Sequence, residues 1–302
     1  MAARRCGLRR SALISLLQRF TAQFNVRRGM TVLRQFDPDI ETLAGTWRGE
    51  LCTSAKWLPE GAPGGLGGIC AGYLVKNGTT LGYAKPSAPH DRKLGQAYVN
   101  NPIAAHEKIA ADLAHDLGLP VPPAVLWDRG QQKGKGSQHC VISAVPFWPA
   151  YTWAQVMRLP KAGARLLPLI ARAASAISVF DTWLDNRDRV NAGNLVIRES
   201  DGFGVQVAYI DFAQSMSFGW GNGPAPGVIR VEGRFPGSAP LDADAIRDTV
   251  CAIETMLEDQ IRSIVGRVPG AFLAPQRGWC IVEGLLRRRE CLRGEMNKRA
   301  RL

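Results

Sequence analysis

Residues 179–197 read VFDTWLDNRDRVNAGNLVI, and residues 207–215 read VAYIDFAQS. The first stretch opens apolar, turns abruptly into Asp, Asn and Arg, and returns to an apolar run. The second is an apolar run that ends in Asp211. Asp185, Asp188, Asn194 and Asp211 thus stand at the edges of the most strand-like segments of the chain. A carboxylate beside a buried strand carries a desolvation cost unless something pairs with it, so these positions call for a partner.

Working outward from this stretch, ARLLPLIARAASAISVFDTWL (164–184) has helical spacing, with Pro168 marking a late start or a kink. NLVI (194–197) and GVQVAYI (204–210) read as a hairpin. Residues 217–240 form a long Gly- and Pro-bearing loop, and 241–266 and 276–293 are helical. Upstream, TWRGELC (46–52) reads as a strand, PEGAPGGLGG (59–68) as a loop and GICAGYLVK (68–76) as a strand. Asn77-Gly78 turns the chain into TTLGYAK (79–85), which Pro86 stops. A helix follows, capped by Asn101, with Pro102 in its first turn and Gly118 at its end. Ile103, His106, Ala110, Leu113 and Leu117 form its apolar stripe, and Glu107 lies at the stripe's edge. LPVPPAVLW (119–127) and HCVISAVPF (139–147) are extended. Strands first and helices afterwards predict an α+β fold in two lobes. The expected division is a basic tail at 1–36, a β-rich N-lobe at 37–148 and a mostly helical C-lobe at 149–302.

The net charge is +12. Residues 1–36 supply +8 of it and residues 285–302 supply +5, which leaves −1 for the body, 37–284. This argues against a broad nucleic-acid face and confines any polyanion binding to the two tails. The first 30 residues are Arg-rich, acid-free and amphipathic, as in an organelle transit peptide. An over-extended reading frame with its start at Met30 is the alternative. No apolar run reaches membrane-spanning length by this reading. Seven scattered cysteines, none in a CxxC pair, predict reduced thiols, a cytoplasmic protein and no zinc site.

Phosphoryl transfer needs a cation on the phosphates, oxygen ligands for magnesium and a carboxylate at the attacking hydroxyl. Protein kinases supply these in a fixed order: Gly-rich loop, strand lysine, helix glutamate, loop Asp with a following Asn, and a strand-end Asp. Here the same order is met by Gly65 and Gly67 within Gly64–Gly68, then Lys85, Glu107, Asp188, Asn194 and Asp211. Taken singly each is ordinary: a Gly-rich loop is usually only a loop, and a strand-ending Lys usually a surface residue. The agreement of order, context and spacing carries the reading.

FDTWLDNRDR, AGNLVI and YIDFAQS resemble the catalytic segment of HipA-like kinases, nearest to the small single-domain bacterial group. EKIAADLAHDLGLPVPPAV (107–125) and VPGAFLAPQRGWCIVEGLLRRRECLR (268–293) are similar to that group's helix-and-strand and C-terminal segments, so the resemblance covers roughly 45–293. It implies a two-lobed protein-kinase-like fold, ATP and Mg2+ as cofactors, and an acceptor hydroxyl on a protein Ser or Thr. It further implies Asp188 as the catalytic aspartate, Asn194 and Asp211 as magnesium ligands, and Lys85 as the phosphate lysine with Glu107 as its partner. The backbone of Ser143, Ala144 and Val145 would meet the adenine edge, and Asn186 and Arg189 would hold the loop. Five residues separate Asp188 from Asn194 where protein kinases have four, so either the loop bulges or Asn191 supplies the amide. A small-molecule or lipid acceptor, and a nucleotide-binding pseudokinase that acts by docking, are the rival readings.

Overall fold

A computed structural model describes residues 33–60, 72–87, 102–129, 139–147, 149–200, 204–217 and 241–300. Gly65 and Gly67, Asn101, most of the basic tail and most of the 217–240 loop lie outside these residues.

The chain enters through α1 (Pro38–Glu50), where a strand was expected over 46–52. Asp37 at the N-cap position, Pro38 in the first turn and Asp39 and Glu41 beside it suit a helix start. Ile40, Leu43, Ala44 and Trp47 then share one face, and burial of Trp47 keeps the helix going almost to Cys52. Only β1 (Cys52–Thr53) is extended, and it pairs parallel with β5 (Ala124–Asp128). The six-stranded sheet runs β1-β5-β6-β4-β3-β2, with β2 Leu58–Pro59, β3 Tyr73–Asn77, β4 Thr80–Pro86 and β6 His139–Ala144. All its pairs except β1–β5 are antiparallel. Asn77 pairs with Thr80, so the β3–β4 turn is centred on Gly78-Thr79, one residue past the expected centre. Gly78 takes φ 58°, the positive value a Gly-X hairpin turn demands at its first central position.

Helix α2 (Ile103–Asp116) crosses behind this sheet, and Ile103 through Ala114 are all buried. It is enclosed on every side, packed against β4, β5 and β6 and against α6 (Glu258–Gly266). Gly118, at φ 63°, ends the helical segment as its sequence position suggests.

The rest is mostly helical. A short strand β7 (Tyr151–Thr152), which the sequence pattern did not reveal, precedes α3 (Trp153–Val156). Helix α4 spans Pro160–Leu184 without stopping at Pro168. Pro160 fills a first-turn position, where its missing N–H costs nothing. By length and composition the 161–184 segment would reach across a bilayer, but 61% of its apolar window is buried within the protein. It is a core helix: Ile170, Ile177, Phe180, Trp183 and Leu184 all sit in the main apolar cluster. A 3-10 turn (Ala192–Asn194) leads into β8 (Leu195–Ser200), which forms an antiparallel sheet β7-β8-β9 with β9 (Gly204–Tyr209). Helices α5 (Ala243–Thr255), α6 and α7 (Pro275–Ala300) complete the fold. It is α+β, with a β-rich N-terminal part and a mostly helical C-terminal part. One apolar cluster joins α2 to α4, β9, α5, α6 and α7, which fixes the back of the sheet against the helices.

Candidate active site

Lys85 lies near the end of β4, opposite Val141 of β6, with its side chain buried. Its Nζ is 2.5 Å from Glu107 Oε1 on α2 and 3.0 Å from Asp211 Oδ1 just after β9. Lys76, the other lysine of the hairpin, is exposed. Burial alone would lower the Lys85 pKa, but the Asp211 and Glu107 carboxylates outweigh it and hold the ammonium well above its usual value. The Asp211 carboxyl is pushed up by burial and pulled down further by Lys85, so it stays ionised below the ordinary range. Glu107 accepts a hydrogen bond from the Phe212 N–H, and Asp211 one from the Ala213 N–H. His106, fully buried, sets its Nδ1 3.4 Å from the Ala213 carbonyl. The turn after Asp211 is therefore seated on α2 by two consecutive helix residues.

The segment between α4 and β8 is organised around Arg189, which is 2% exposed. Its Nε and Nη2 donate to the two Asp181 carboxylate oxygens at 2.7 and 3.2 Å. Its Nη1 donates to the carbonyls of Asn194 and Ile210 at 2.8 and 2.9 Å. The guanidinium also lies over the rings of Phe212 and Tyr209, at 4.9 and 5.4 Å from their centroids. One buried cation thus ties α4, the 185–194 loop and the strand end bearing Asp211 together. Asn186 donates to Asp181 at 2.8 Å and accepts from the Asp188 N–H at 3.3 Å.

Asn194, 4% exposed, donates its amide to the Asp188 carbonyl and to Asp188 Oδ2, both at 3.0 Å. Asn191 instead accepts from the Gly193 N–H at 3.0 Å and caps the 3-10 turn. The extra residue between Asp188 and Asn194 is absorbed in that turn, and Asn194 is the amide that faces Asp188. The Ile210 N–H donates to the Asn194 carbonyl at 3.0 Å, so Asn194 and Asp211 are held side by side. Burial raises the Asp188 pKa; the Asn194 hydrogen bond opposes this, and the nearby Asp211 charge reinforces it.

These groups suit a magnesium-bound phosphate in donor chemistry. Asn194 spends the donor end of its amide on Asp188, which leaves the oxygen end as an acceptor beside the Asp188 and Asp211 carboxylates. Hard oxygen donors of this kind, few in number and completed by phosphate and water, are what Mg2+ takes.

The backbone expected at the adenine edge runs along β6 and just past it. The Ala144 N–H donates to the Pro123 carbonyl at 2.9 Å and the Val145 N–H to the Leu81 carbonyl at 3.0 Å. Both donors are spent within the sheet. Residue 146 is Pro and has no N–H, so Phe147 carries the next backbone donor along the chain. Ser143 is paired on both sides, to Tyr83 and Ala124. Sequence reasoning marked Asp185 as an edge position that calls for a partner but passed over Ser217 and Arg288, which meet it beside the loop, and Lys108, which pairs with Asp112 at i,i+4 spacing.

No family model matches the chain, and no curated protein matches it. Fourteen chains of solved structures do. Among them is the crystal structure of a Helicobacter pylori proinflammatory kinase, CtkA, at 18% sequence identity and a TM-score of 0.49, covering 77% of this chain and 91% of that one.

Proposed function

We propose that this chain is an ATP-dependent, HipA-like kinase that transfers the γ-phosphate to a hydroxyl, with a protein Ser or Thr as acceptor. The observation that carries the proposal is the meeting of Lys85, Glu107 and Asp211 with the Asp188–Asn194 pair, joined through Arg189. In this reading 37–148 is the N-lobe and 149–302 the C-lobe, with the cleft between them. Lys85, fixed by Glu107, neutralises the α/β-phosphates. Asn194 and Asp211 hold Mg2+, which would offset charge on the phosphate oxygens. Asp188 orients the acceptor hydroxyl and takes its proton as the new O–P bond to the γ-phosphate forms and the bond from the γ-phosphorus to the β–γ bridging oxygen breaks, with ADP as the leaving group. Gly65 and Gly67 would cover the phosphates, and the backbone of Ser143, Ala144 and Val145 would meet the adenine edge, with Phe147 carrying the next backbone donor along the chain. In this reading the chain acts in the cytoplasm, with Cys140, Cys251, Cys280 and Cys291 as reduced thiols.

The test is purified protein with γ-labelled ATP and Mg2+, with and without host lysate. The expected result is label on protein. Label on a small molecule or lipid would replace the acceptor class, and nucleotide binding without transfer would favour the docking reading. Asp188→Asn should lower transfer by roughly two to four orders of magnitude, the range of a general acid–base group, with nucleotide affinity little changed.

A further inference from the structure

Asp185 ends α4 in the left-handed region, at φ 56°, with 2% of its surface exposed. A non-glycine residue there carries strain that persists only where its surroundings hold it. Its Oδ2 accepts from Ser217 Oγ at 2.5 Å and from Arg187 Nη2 at 3.2 Å, and Arg187 Nη2 also donates to Ser217 Oγ at 3.0 Å. Its Oδ1 accepts no hydrogen bond and has the Arg288 guanidinium of α7 3.7 Å away. Arg288 in turn donates to the carbonyls of Trp183 and Thr182, at 2.8 and 2.5 Å, and Trp183 Nε1 donates back to the Leu285 carbonyl at 2.9 Å. Above this, the Met216 N–H donates to the Leu184 carbonyl at 2.6 Å, and Met216 is itself at φ 54°. Two strained residues from segments distant in sequence are thus cross-bonded.

The consequence lies in what these segments carry. Asp185 stands three residues before Asp188, and Ser217 six residues after Asp211. Arg189 joins the same two segments from the β9 side through the Asn194 and Ile210 carbonyls. The Asp185–Arg187–Ser217 triangle is a second tie, on the α7 side, and it needs a charged acceptor because Asp185 meets a hydroxyl and two guanidinium groups. We propose that Asp185 is a positioning residue: its carboxylate fixes Asp188 relative to Asp211 through Ser217, with Arg288 supporting it from α7. The inference rests on the kinase reading of the site. A displacement of about 1 Å between groups that must align can cost about 100-fold in rate.

The experiment measures steady-state transfer, the affinity of the Mg2+-bound nucleotide and thermal melting for the wild type, Asp185→Asn, Ser217→Ala and the double variant. Asn keeps the size of the side chain and tolerates the left-handed backbone. The expected result is a kcat about 10- to 100-fold lower in Asp185→Asn, with KM for ATP within about threefold of wild type. Ser217→Ala should lose about 3- to 10-fold in kcat, and the double variant should be no worse than Asp185→Asn, because both cut the same tie. A folded Asp185→Asn with unchanged kcat, or losses that simply add, would overturn the inference and leave the kinase reading standing. If Asp185→Asn does not fold, Ser217→Ala decides alone, and an unchanged kcat there overturns it. A wild-type chain that neither binds nor turns over Mg2+-bound ATP would overturn the kinase reading and the inference with it.

Discussion

Glu107 and Lys108 are neighbours on α2 and are equally buried, yet they serve opposite faces of the helix. Glu107 reaches into the cleft to Lys85. Lys108 reaches behind it, donating to the Trp47 carbonyl at 2.9 Å, the Asp112 carboxylate at 2.9 Å and the Ala124 carbonyl at 3.0 Å. An ammonium has three donors, and Lys108 uses all three. Asp112 is also held by Arg267 at 2.8 Å, so the rear network binds α1, α2, β5 and the end of α6 into one piece. Lys85, by contrast, has two carboxylate partners, and one of them, Asp211, has a side chain that is 26% exposed. Burial lowers the Lys108 pKa despite Asp112, whereas the Lys85 ammonium is held well above its usual value. A buried ion with every donor matched inside the protein keeps the fold together. One with a donor to spare and a partner at the surface is arranged for something that arrives.

The largest expected effect separates the two lysines. Lys108→Met removes a buried donor from Asp112 Oδ1 and from two carbonyls, while Arg267 still holds Asp112 Oδ2, and should cost ~1–3 kcal/mol of stability, as leaving buried acceptors short of a donor does. Lys85→Met leaves Asp211 partly in water and lets Glu107, whose carboxyl burial already holds above its ordinary range, take up a proton, so denaturant melts should show a smaller loss there while nucleotide binding collapses. If Lys85→Met proves the more destabilising of the two and Lys108→Met is neutral, the comparison is broken.

A smaller effect concerns pH. Burial, with Arg34, Arg48 and Lys108 nearby, lowers the His115 pKa to about 3, and burial lowers that of His106 to about 3 as well. Both rings are neutral in the folded protein, while in the unfolded chain they titrate near ~6.5. The unfolded state therefore binds more protons between those values, and stability falls as pH drops from about 6.5 toward 3. His115→Gln, at the rear network where the ring meets Arg48 Nη1 at 3.0 Å, should flatten that slope by about 1.4 kcal/mol per pH unit at most. Melts from pH 7 to 4 test it, and an unchanged slope would show that the ring is not neutral in the fold. The smallest effect lies at the surface. Arg165 and Glu199 form an exposed bidentate pair, and Arg165→Ala should leave the melting temperature unchanged within error.

Much of the cleft was legible in the sequence because its residues sit at element boundaries. Lys85 closes a strand against Pro86, Glu107 lies at the edge of a helical stripe, and Asp211 ends an apolar run. The rear network was not legible. Lys108 and Asp112 look like a solvated i,i+4 pair until α1 and α6 cover them. Thr46–Cys52 reads as a strand because Trp, Leu and Cys favour one, and only the burial of Trp47 against Trp57 shows why the helix persists. The use of the Ala144 and Val145 N–H groups depends on strand pairing that no local pattern encodes. The Asp185–Ser217–Arg288 meeting depends on three segments converging, and each residue alone looks like a turn or surface position.

The central claim is that the Lys85–Glu107–Asp211 cleft receives a magnesium-bound nucleotide. Calorimetric titration with a non-hydrolysable ATP analogue, with and without Mg2+, tests it most directly on the wild type, Lys85→Met and Asp211→Ala. The account predicts Mg2+-dependent binding in the wild type. It predicts binding weaker by about tenfold or more in Lys85→Met, as for a lost charge-assisted contact of ~1.5–3 kcal/mol, and loss of the Mg2+ dependence in Asp211→Ala. Equal affinity in all three proteins, or wild-type binding indifferent to Mg2+, would contradict it.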